Sequence, residues 1–579
     1  MPDRAHGTPD PSRSTEPVSA SLPESGLPET TSASHAAAVV LRGLVDAGMR
    51  HLVLSPGSRS QALALEAARL ERMGELAVHV RIDERSAGFL ALGLALESGI
   101  PVAVVTTSGT AVANLHPAML EAWHSGVPLI AITADRPAEV RGTGANQTTT
   151  QPGIFGPAAV FEADVRAGAG IARLHRSLGG AWATAINGAP VHLNVSFREP
   201  LSGPVPEIGR GGSGVLAVDD PAAPPLSRGP RTVIIAGTGA GPQAEEFAHA
   251  SGWPLLAEVT SGSRFGRSAI PAYRAALARL GHRIERAIVF GRPNLSREVP
   301  ALLQRDDVEV IVVESAGAEQ FRPGGRGTVV PDVAVDAADP VTEQERAWFG
   351  EWLQAGRALA EDPDDLPYTG GSGSDQAAVR GALAREELAA VRAPNTRRSL
   401  VEAIWRASWP HDRLFLAASR LVREADLVVP GKKITVRANR GLAGIDGSIS
   451  SAIGIAIASQ LAEVPGTAAA GATRALLGDL AFLHDVGGLL QAPGERAPRV
   501  QLIVGNDHGG TIFDGLEVAG TADRTDFERV MITPHAVDIA SLAAAYGWHY
   551  TLATDRGTLD RALTAPPAGL SIVEVPLDR

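Results

Sequence analysis

At 579 residues and a formal net charge of −12, the chain is long enough for about three or four domains and has the wrong charge for a general nucleic-acid or membrane-surface binder. It contains no cysteine, which excludes disulfides, thiolate nucleophiles, zinc ribbons and iron–sulfur clusters and makes a reducing compartment the default. No apolar run reaches the roughly 20 residues that span a bilayer, and the first residues lack the apolar core of a signal peptide, so a cytoplasmic protein without membrane insertion is expected.

Residues 1–34 contain six prolines and no aromatic residue. Such a segment cannot bury enough apolar surface to become ordered, so a disordered tail is predicted here. From about His35 onward, helical and strand patterns alternate. The first helix is predicted in "AAAVVLRGLVDAG", and the following strands are predicted in "HLVLSP", "HVRID", "PVAVVTT" and "PLIAITAD". Apolar strands separated by helices predict a parallel sheet that is covered on both faces.

A Gly- and Pro-rich passage, "EPLSGPVPEIGRGGSG", follows the strand in "APVHLNVSF" and indicates a linker. Two further blocks continue the alternation, with strands in "RTVIIA", "RAIVF", "VEVIVVES", "DRLFLAAS", "RALLGD" and "RVQLIVG". The run at 361–375 indicates an exposed loop insertion. We therefore expect an α/β protein of three consecutive domains with mostly parallel sheets. The predicted boundaries are 35–200, 201–394 and 395–579.

The glycine run Gly237-Thr238-Gly239-Ala240-Gly241 follows the strand "TVIIA". A dinucleotide-binding fingerprint requires a third glycine three positions after the second, and that position is Pro242. A plain strand-to-helix turn is therefore favoured over a nicotinamide or flavin site.

Two oxygen-rich segments end two strands of the last block. Gly478 and Asp479 follow "RALL", and "NDHGG" at 506–510 follows "RVQLIVG". Parallel sheets bind ligands at these carboxyl ends, and oxygen ligands suit Mg²⁺ or Ca²⁺, above all a Mg²⁺ that also holds a phosphate. The alternative is structural: Asp479 caps a helix and "NDHGG" forms a turn.

The same passage resembles the GDG…NN signature of thiamine-diphosphate enzymes, in which a metal ion anchors the cofactor's diphosphate. Leu480 replaces the third residue of that signature and Asp507 replaces an asparagine, so the register is open by one residue. Alignment on Gly509 favours Asp507 as the side-chain ligand, together with the Gly509 carbonyl. Asn506 is the alternative ligand.

An enzyme of this kind needs a glutamate at the far ring of the cofactor, and "VRIDERSAGFLALGLAL" offers Glu84 between a strand and a helix. In isolation, a glutamate in the position of Glu84 is more often a first-turn acid that interacts with the helix dipole. Beside the metal signature, it is the candidate catalytic residue. A carboxyl group bonded to the aminopyrimidine ring promotes acid/base chemistry through the cofactor.

Seven motifs occur in a fixed order: "SPGSRS", "DERSAGFLALGLA", "TTSGTAVANLHPA", "TADRP", "GANQ", "NRGLAGIDG" and "GDLAFLHD". Together they resemble the 2-succinyl-5-enolpyruvyl-6-hydroxy-3-cyclohexene-1-carboxylate synthase family of menaquinone biosynthesis. The resemblance is dense in the first and last domains and thin in the middle one. It implies the pyruvate-decarboxylase-like architecture, with a pyrimidine-binding domain, a transhydrogenase-like middle domain and a diphosphate- and metal-binding domain.

The resemblance also implies a transferase reaction. These enzymes use thiamine diphosphate to decarboxylate 2-oxoglutarate, and the succinyl carbanion adds to isochorismate with release of CO₂. Two alternatives stand beside this activity: another thiamine-diphosphate decarboxylase or carboligase of 2-oxo acids, and a non-catalytic relative that binds the cofactor. The second alternative is disfavoured because Glu84 and Asp479 are both present.

Residue roles follow from the resemblance, motif by motif. Both substrates are dicarboxylates, and arginine binds a carboxylate through a planar pair of donors. A surface charge is the structural alternative for each arginine. The implied substrate residues are Ser58, Arg59, Arg136, Asn146, Gln147, Ser419, Arg423 and Arg440, with Arg297 a weaker match in the middle domain. The implied cofactor residues are Ser108, Gly109, Thr110, Ile445, Gly478, Asp479, Leu480, Asn506, Gly510, Ile512 and Phe513. The implied ligands of Mg²⁺ or Mn²⁺ are Asp479, Asp507 and Gly509.

The resemblance implies an oligomer as well. In this superfamily the pyrimidine-binding domain of one chain faces the diphosphate-binding domain of another. Glu84 and Asp479 of one site would then come from different chains. A homodimer is the expected minimum, and a homotetramer is a further possibility.

Overall fold

The computed structural model describes residues 31–205, 225–336, 338–360, 385, 388–461, 471–565 and 569–579. The predicted N-terminal tail, apart from its last few residues, most of the predicted linker and the 361–375 insertion lie outside the described residues. Among the residues described, no helix combines the length and apolar character needed to cross a bilayer.

The first sheet has six parallel strands in the order β2-β1-β3-β4-β6-β5. The central strands β3, β4 and β6 are buried along their whole length because helices cover both faces. The elements are α1 (Ala33–Ala47), β1 (His51–Leu54), α2 (Gln61–Arg72), β2 (Ala77–Val80), α3 (Glu84–Ser98), β3 (Val102–Thr106), α4 (Thr110–Ala113), α5 (His116–Ser125), β4 (Leu129–Asp135), β5 (Phe161–Val165), α6 (Ile171–Ile186) and β6 (Val191–Ser196).

The strand predicted in "HVRID" ends earlier than expected. β2 stops at Val80, and Asp83 instead caps α3, its side chain accepting hydrogen bonds from the backbone N–H groups of Arg85 and Ser86. An N-cap carboxylate satisfies donors that the first helical turn leaves free. Glu84 therefore stands as the first residue of α3.

The second sheet has five parallel strands in the order β12-β11-β10-β8-β9, with a separate two-stranded sheet of β13 and β7. Gly237 forms a strand-to-helix turn, where a Cβ atom would lie 2.0 Å from the backbone N of Pro293. The elements are β7 (Pro225–Leu226), β8 (Thr232–Ala236), α7 (Gln243–Ser251), β9 (Leu255–Ala257), α8 (Tyr273–Leu280), β10 (Arg286–Phe290), α9 (Glu298–Leu303), β11 (Glu309–Val313), β12 (Thr328–Val330), β13 (Ala334–Val335) and α10 (Glu343–Leu359).

The third sheet has six parallel strands in the order β15-β14-β16-β17-β19-β18. Its elements are α11 (Arg397–Ala407), β14 (Arg413–Leu416), α12 (Arg420–Val428), β15 (Thr435–Arg437), α13 (Ser448–Leu461), β16 (Thr473–Gly478), α14 (Asp479–His484), β17 (Val500–Asn506), α15 (Val518–Thr521), α16 (Arg524–Phe527), α17 (Ile539–Tyr546), β18 (His549–Leu552), α18 (Arg556–Thr564) and β19 (Leu570–Pro576). The predicted α/β class with mostly parallel sheets is confirmed. The domain boundaries stay a prediction.

Helices α3 and α13 join the first and third sheets. A Cβ atom at Gly93 would lie 2.2 Å from the carbonyl oxygen of Ser451, and one at Gly454 would lie 2.3 Å from that of Leu90. Glycine therefore allows the two helix backbones to approach closely, and one continuous apolar core runs from the first domain into the third.

Candidate active site

A cavity of about 480 Å³ lies at the carboxyl ends of β14, β16 and β17. Parallel α/β sheets bind ligands at this edge. Its wall is formed by Asn294 of the middle domain, by Leu577 near the end of the chain and by parts of four third-domain segments, which are 418–423, 440–445, 478–481 and 505–513.

Asp479 is the first residue of α14 and lies directly after β16, with 2 % of its surface exposed. Its carboxylate accepts hydrogen bonds from the N–H groups of Leu480 (2.7 Å) and Gly509 (2.8 Å). The Nε2 atom of His535 lies 3.1 Å from Oδ2. Burial raises the pKa of Asp479, and the nearby charge of Asp507 raises it further. A cation in this cavity would relieve both effects.

Asp507 and Asn506 differ in their surroundings. Asp507 lines the cavity, and Asn506 does not. The side chain of Asn506 is held elsewhere: its Nδ2 donates to Glu574 at 2.7 Å, and its Oδ1 accepts from the N–H of His508 at 3.1 Å. This geometry favours Asp507 as the side-chain ligand.

The backbone at Gly509 and Gly510 forms a tight cradle beside these carboxylates. Gly509 has φ of +150°, and a Cβ atom there would lie 2.5 Å from the carbonyl oxygen of Ile532. A Cβ atom at Gly510 would lie 2.9 Å from the carbonyl oxygen of Met531. Only glycine fits this path, which keeps backbone groups at the cavity surface.

This set of donors fits a hard cation that shares its ligands with a phosphate group. It offers two carboxylates, the kind of oxygen ligand that Mg²⁺ prefers, and the Gly509 carbonyl stays a predicted third ligand. Within the described part of the chain, no cluster of three or more His, Cys, Asp or Glu side chains could hold a metal ion. The remaining ligands would have to be backbone, water or the diphosphate of the cofactor.

Arginines predicted from the sequence line the same cavity. Arg440 has 5 % of its surface exposed, and burial lowers its pKa. Arg423 and Ser419 line the same cavity. Arg420 lies there too, with Nη1 3.4 Å from the carbonyl oxygen of Thr511, and sequence reasoning had not singled it out. The remaining predicted residues found in the cavity wall are Ile445, Gly478, Leu480, Gly509, Gly510, Ile512 and Phe513.

The middle domain reaches this cavity through Asn294 and not through Arg297. Arg297 is exposed and does not line the cavity, whereas Asn294, three residues earlier in the same run, does. The backbone N–H groups of Asn294 and Leu295 donate to the carboxylate of Glu258 at 3.1 and 2.7 Å. Burial, reinforced by the charge of Asp426, raises the pKa of Glu258 to about 8. No local pattern marks Asn294 or Glu258 in the sequence.

The first domain supports the loop that follows Arg440. The carboxylate of Glu121 accepts hydrogen bonds from the N–H groups of Gly441 (2.7 Å) and Leu442 (2.8 Å). Burial raises the pKa of Glu121. Ala443, the residue after Leu442, has φ of +58°, a strained conformation for a residue with a side chain. Sequence reasoning missed Glu121 because the loop it supports lies more than 300 residues away in the chain.

The predicted first-domain residues gather at the carboxyl edge of the first sheet. Arg59 is buried, and its Nη1 donates to the carbonyl oxygen of Phe197 at 3.2 Å. Burial lowers its pKa, and the nearby charge of Arg136 lowers it further. Ser58 beside it is exposed. Two arginines close enough to repel each other are suited to an anionic ligand.

A second group lies close by in the first domain. The hydroxyl of Ser108 donates to the carbonyl oxygen of Gln147 at 2.8 Å, and Nε2 of Gln147 donates to the carbonyl oxygen of Ser108 at 3.1 Å. Gly109 donates its N–H to Gln151, and the short helix α4 begins at Thr110. The side chain of Gln147 and the adjacent Asn146 are exposed.

Glu84 and Asp479 do not share a cavity within one chain. None of the described first-domain residues, 31–205, lines the cavity that holds Asp479. The Glu84 carboxylate is half-buried, and the Nδ2 atom of Asn114 lies 3.4 Å from its Oε2. Ile82, two residues before it, is 73 % exposed.

Comparison with known proteins defines the class first. Residues 34–154 match the family described as "Thiamine pyrophosphate enzyme, N-terminal TPP binding domain". This match and the parallel α/β sheets make the chain an enzyme of the thiamine-diphosphate class.

Curated relatives then define the family. A protein of Leifsonia xyli subsp. xyli is 53 % identical, covering 96 % of this chain and 98 % of its own length. A protein of Clavibacter michiganensis subsp. michiganensis is 52 % identical, covering 97 % and 98 %. One of Kineococcus radiotolerans is 44 % identical, covering 93 % and 95 %. All three are named 2-succinyl-5-enolpyruvyl-6-hydroxy-3-cyclohexene-1-carboxylate synthase. The chain belongs to this family, and the resemblance drawn from the seven motifs is confirmed.

Proposed function

We propose that this protein uses thiamine diphosphate to decarboxylate 2-oxoglutarate and transfers the succinyl unit to isochorismate in menaquinone biosynthesis. The products are 2-succinyl-5-enolpyruvyl-6-hydroxy-3-cyclohexene-1-carboxylate and CO₂. The observation that carries this proposal is identity above 50 % along nearly the whole length of relatives with this name. The cavity chemistry supports it, because carboxylates and arginines line one cavity.

The part of the cavity around Asp479 and Asp507 would hold the cofactor. Thiamine diphosphate, when bound, supplies the carbon centre that accepts the 2-oxo acid and stabilises the electron pair left by decarboxylation. Asp479, Asp507 and the Gly509 carbonyl would hold Mg²⁺ or Mn²⁺ against the diphosphate. Ile445 lies in the cavity wall, where an apolar side chain can support the bent cofactor.

The arginines that line the cavity would hold the succinyl carboxylate. Arg440, with Arg423 and Ser419 beside it, presents planar donors that match a carboxylate in pairs. Burial of Arg440 strengthens the attraction because water screens the charges less there. A partly enclosed cavity also limits the access of water to the reacting carbon.

A second chain would complete the site. Glu84, the predicted acid/base residue for the cofactor, lies outside the cavity of its own chain. In a homodimer or homotetramer, a partner's first domain would bring Glu84, Ser108, Gly109 and Thr110 to the cofactor. Ser58, Arg59, Arg136, Asn146 and Gln147 would come with it for isochorismate. The reducing compartment expected for a cysteine-free chain fits the cytoplasm.

The reaction can be tested with the purified protein, Mg²⁺ and thiamine diphosphate. We expect rapid CO₂ release and the named product when 2-oxoglutarate and isochorismate are both present, and much slower release without isochorismate. Equal CO₂ release without isochorismate would favour a simple 2-oxo-acid decarboxylase. If the protein does not bind thiamine diphosphate, both of these enzyme activities are excluded and the proposal is refuted.

A further inference from the structure

Position 507 carries a charge that the thiamine-diphosphate signature does not require. The signature has a neutral asparagine there, and this chain has Asp507. The side chains of Asp479 and Asp507 belong to residues that line the same cavity. An extra negative charge attracts a cation and repels the diphosphate that the cation is meant to anchor.

Arg397 lies behind this carboxylate. Its Nη2 donates to Oδ2 of Asp507 at 2.6 Å and lies 3.3 Å from Oγ1 of Thr511. The hydroxyl of Thr511 donates to the same Oδ2 atom. The side chains of Arg397 and Asp507 are 15 % and 11 % exposed, so water screens this ion pair only weakly.

The contacts of Asp507 are divided unequally between its two oxygens. Among the described residues, its side-chain hydrogen bonds all fall on Oδ2. None of the hydrogen bonds within the described ranges falls on Oδ1, so this oxygen is available to a ligand in the cavity. Arg397 itself does not line the cavity, so it reaches the site only through Asp507 and Thr511.

The position of Arg397 is set by its own helix. It is the first residue of α11, and the preceding Thr396 forms a capping box with Ser399. Asn395 is buried and donates to the carbonyl oxygen of Ala553 at 3.0 Å. This anchored start holds the guanidinium group in place behind Asp507.

We propose that Arg397 is a positioning residue that neutralises the added charge of Asp507 and presents its Oδ1 to the metal ion. The ion pair of Asp507 and Arg397 has no net charge and offers one oxygen to the metal ion, as the asparagine side chain of the signature does. This inference rests on the proposed function, because it assumes a metal ion and a diphosphate in the cavity.

The test compares Arg397→Gln, Asp507→Asn and the double variant, in the full-length protein. Two binding constants are measured without turnover: thiamine diphosphate with saturating Mg²⁺, by calorimetry, and Mn²⁺ alone, by electron paramagnetic resonance. We expect Arg397→Gln to weaken thiamine diphosphate about 10-fold or more while Mn²⁺ binds at least as tightly as in the wild type. Asp507→Asn and the double variant should bind thiamine diphosphate within about threefold of each other, because the asparagine carries no charge for Arg397 to neutralise.

Arg398→Gln is the matched control, because Arg398 is adjacent, pairs with Glu402 one turn further along the same helix and does not line the cavity. It should bind both ligands as the wild type does. If Arg397→Gln does not fold, Asp507→Asn is compared with the double variant instead. With asparagine at position 507, loss of Arg397 leaves no unpaired carboxylate, so the inference predicts little difference between these two variants.

Three results would overturn the inference. Loss of thiamine diphosphate binding on Arg397→Gln in both backgrounds would show that Arg397 acts independently of Asp507. Parallel weakening of Mn²⁺ and thiamine diphosphate would show structural damage, and unchanged binding of both would show no role. If the wild type itself binds no thiamine diphosphate, the proposed function fails as well, which separates the two failures.

Discussion

Asn294 and Arg440 bond to each other in both directions across two domains. Nη2 and Nε of Arg440 donate to Oδ1 of Asn294 at 2.7 and 3.1 Å, and Nδ2 of Asn294 donates to the carbonyl oxygen of Arg440 at 3.0 Å. One amide therefore fixes both the side chain and the backbone of a buried arginine in the cavity.

This contact predicts a substrate-binding defect on Asn294→Ala. Loss of a partner to a buried charged group costs about 1–3 kcal/mol, so we expect the KM for 2-oxoglutarate to rise about 10-fold with a smaller change in kcat. The effect should disappear in an Arg440→Ala background, because the two residues act as a unit. Asn187→Ala, at the exposed end of α6, is the control. An unchanged KM for Asn294→Ala would contradict this role.

Glu84→Gln is expected to abolish turnover while leaving cofactor and metal binding nearly intact. The amide keeps the size of the side chain but cannot exchange the proton that the cofactor's ring requires. Steady-state kinetics and calorimetry with thiamine diphosphate measure the two properties separately. Near-normal turnover in this variant would argue strongly against the assignment.

The proposed shared site predicts complementation between inactive variants. Glu84→Gln and Asp479→Ala each remove a residue that would lie in a different subunit of one site, and Asp479→Ala should also weaken cofactor retention. Mixed subunits should then recover about a quarter of the wild-type activity, since half of the random dimers contain one intact site. Subunits exchanged by mild denaturation and refolding can be assayed directly. No recovery, with mixed dimers verified by mass spectrometry, would place both residues in the same subunit.

Arg59→Ala is expected to raise the KM for isochorismate about 10-fold or more and to change the KM for 2-oxoglutarate little. Its buried guanidinium group lies beside Arg136, where a substrate carboxylate would relieve their repulsion. Initial rates with each substrate varied in turn provide the comparison. Equal effects on both substrates would indicate a general structural role.

The stacked pair His51 and His79 predicts acid sensitivity of the fold. Burial lowers the pKa of His51 to about 4 and that of His79 to about 3, and the charge of Arg81 contributes to the latter. Because both folded-state values lie below the ordinary value of 6.5, the unfolded chain binds protons first as the pH falls. The stabilisation is complete above pH 6.5 and is lost progressively toward pH 4 and below.

We expect the free energy of unfolding to fall by about 5 kcal/mol from this pair between pH 6.5 and 4. Urea unfolding across this range measures it. The slope should flatten in His79→Leu and persist in His411→Ala, whose side chain is largely exposed. An unchanged slope in His79→Leu would assign the acid sensitivity to other groups.

Local chemistry made much of the architecture predictable. The continuous apolar runs of β3, β4 and β17 have only one favourable environment, the middle of a parallel sheet covered by helices, and they are found there. The same reasoning located Asp479 and Asp507 at neighbouring strand ends, because the carboxyl ends of parallel strands meet at one edge. Where β2 ended was less predictable, since the capping preference of Asp83 competed with the apolar pattern.

The amino-acid sequence by itself determined the class of fold, the family and the residues that carry charge at the strand ends, because each depends on patterns among near neighbours in the chain. Only the tertiary structure decided which of those residues act together. Glu121 meets the loop after Arg440, Asn294 meets Arg440 and Arg397 meets Asp507, each across 110 or more residues of chain. No local periodicity records such a contact, since it exists only once packing has brought distant segments within hydrogen-bonding distance.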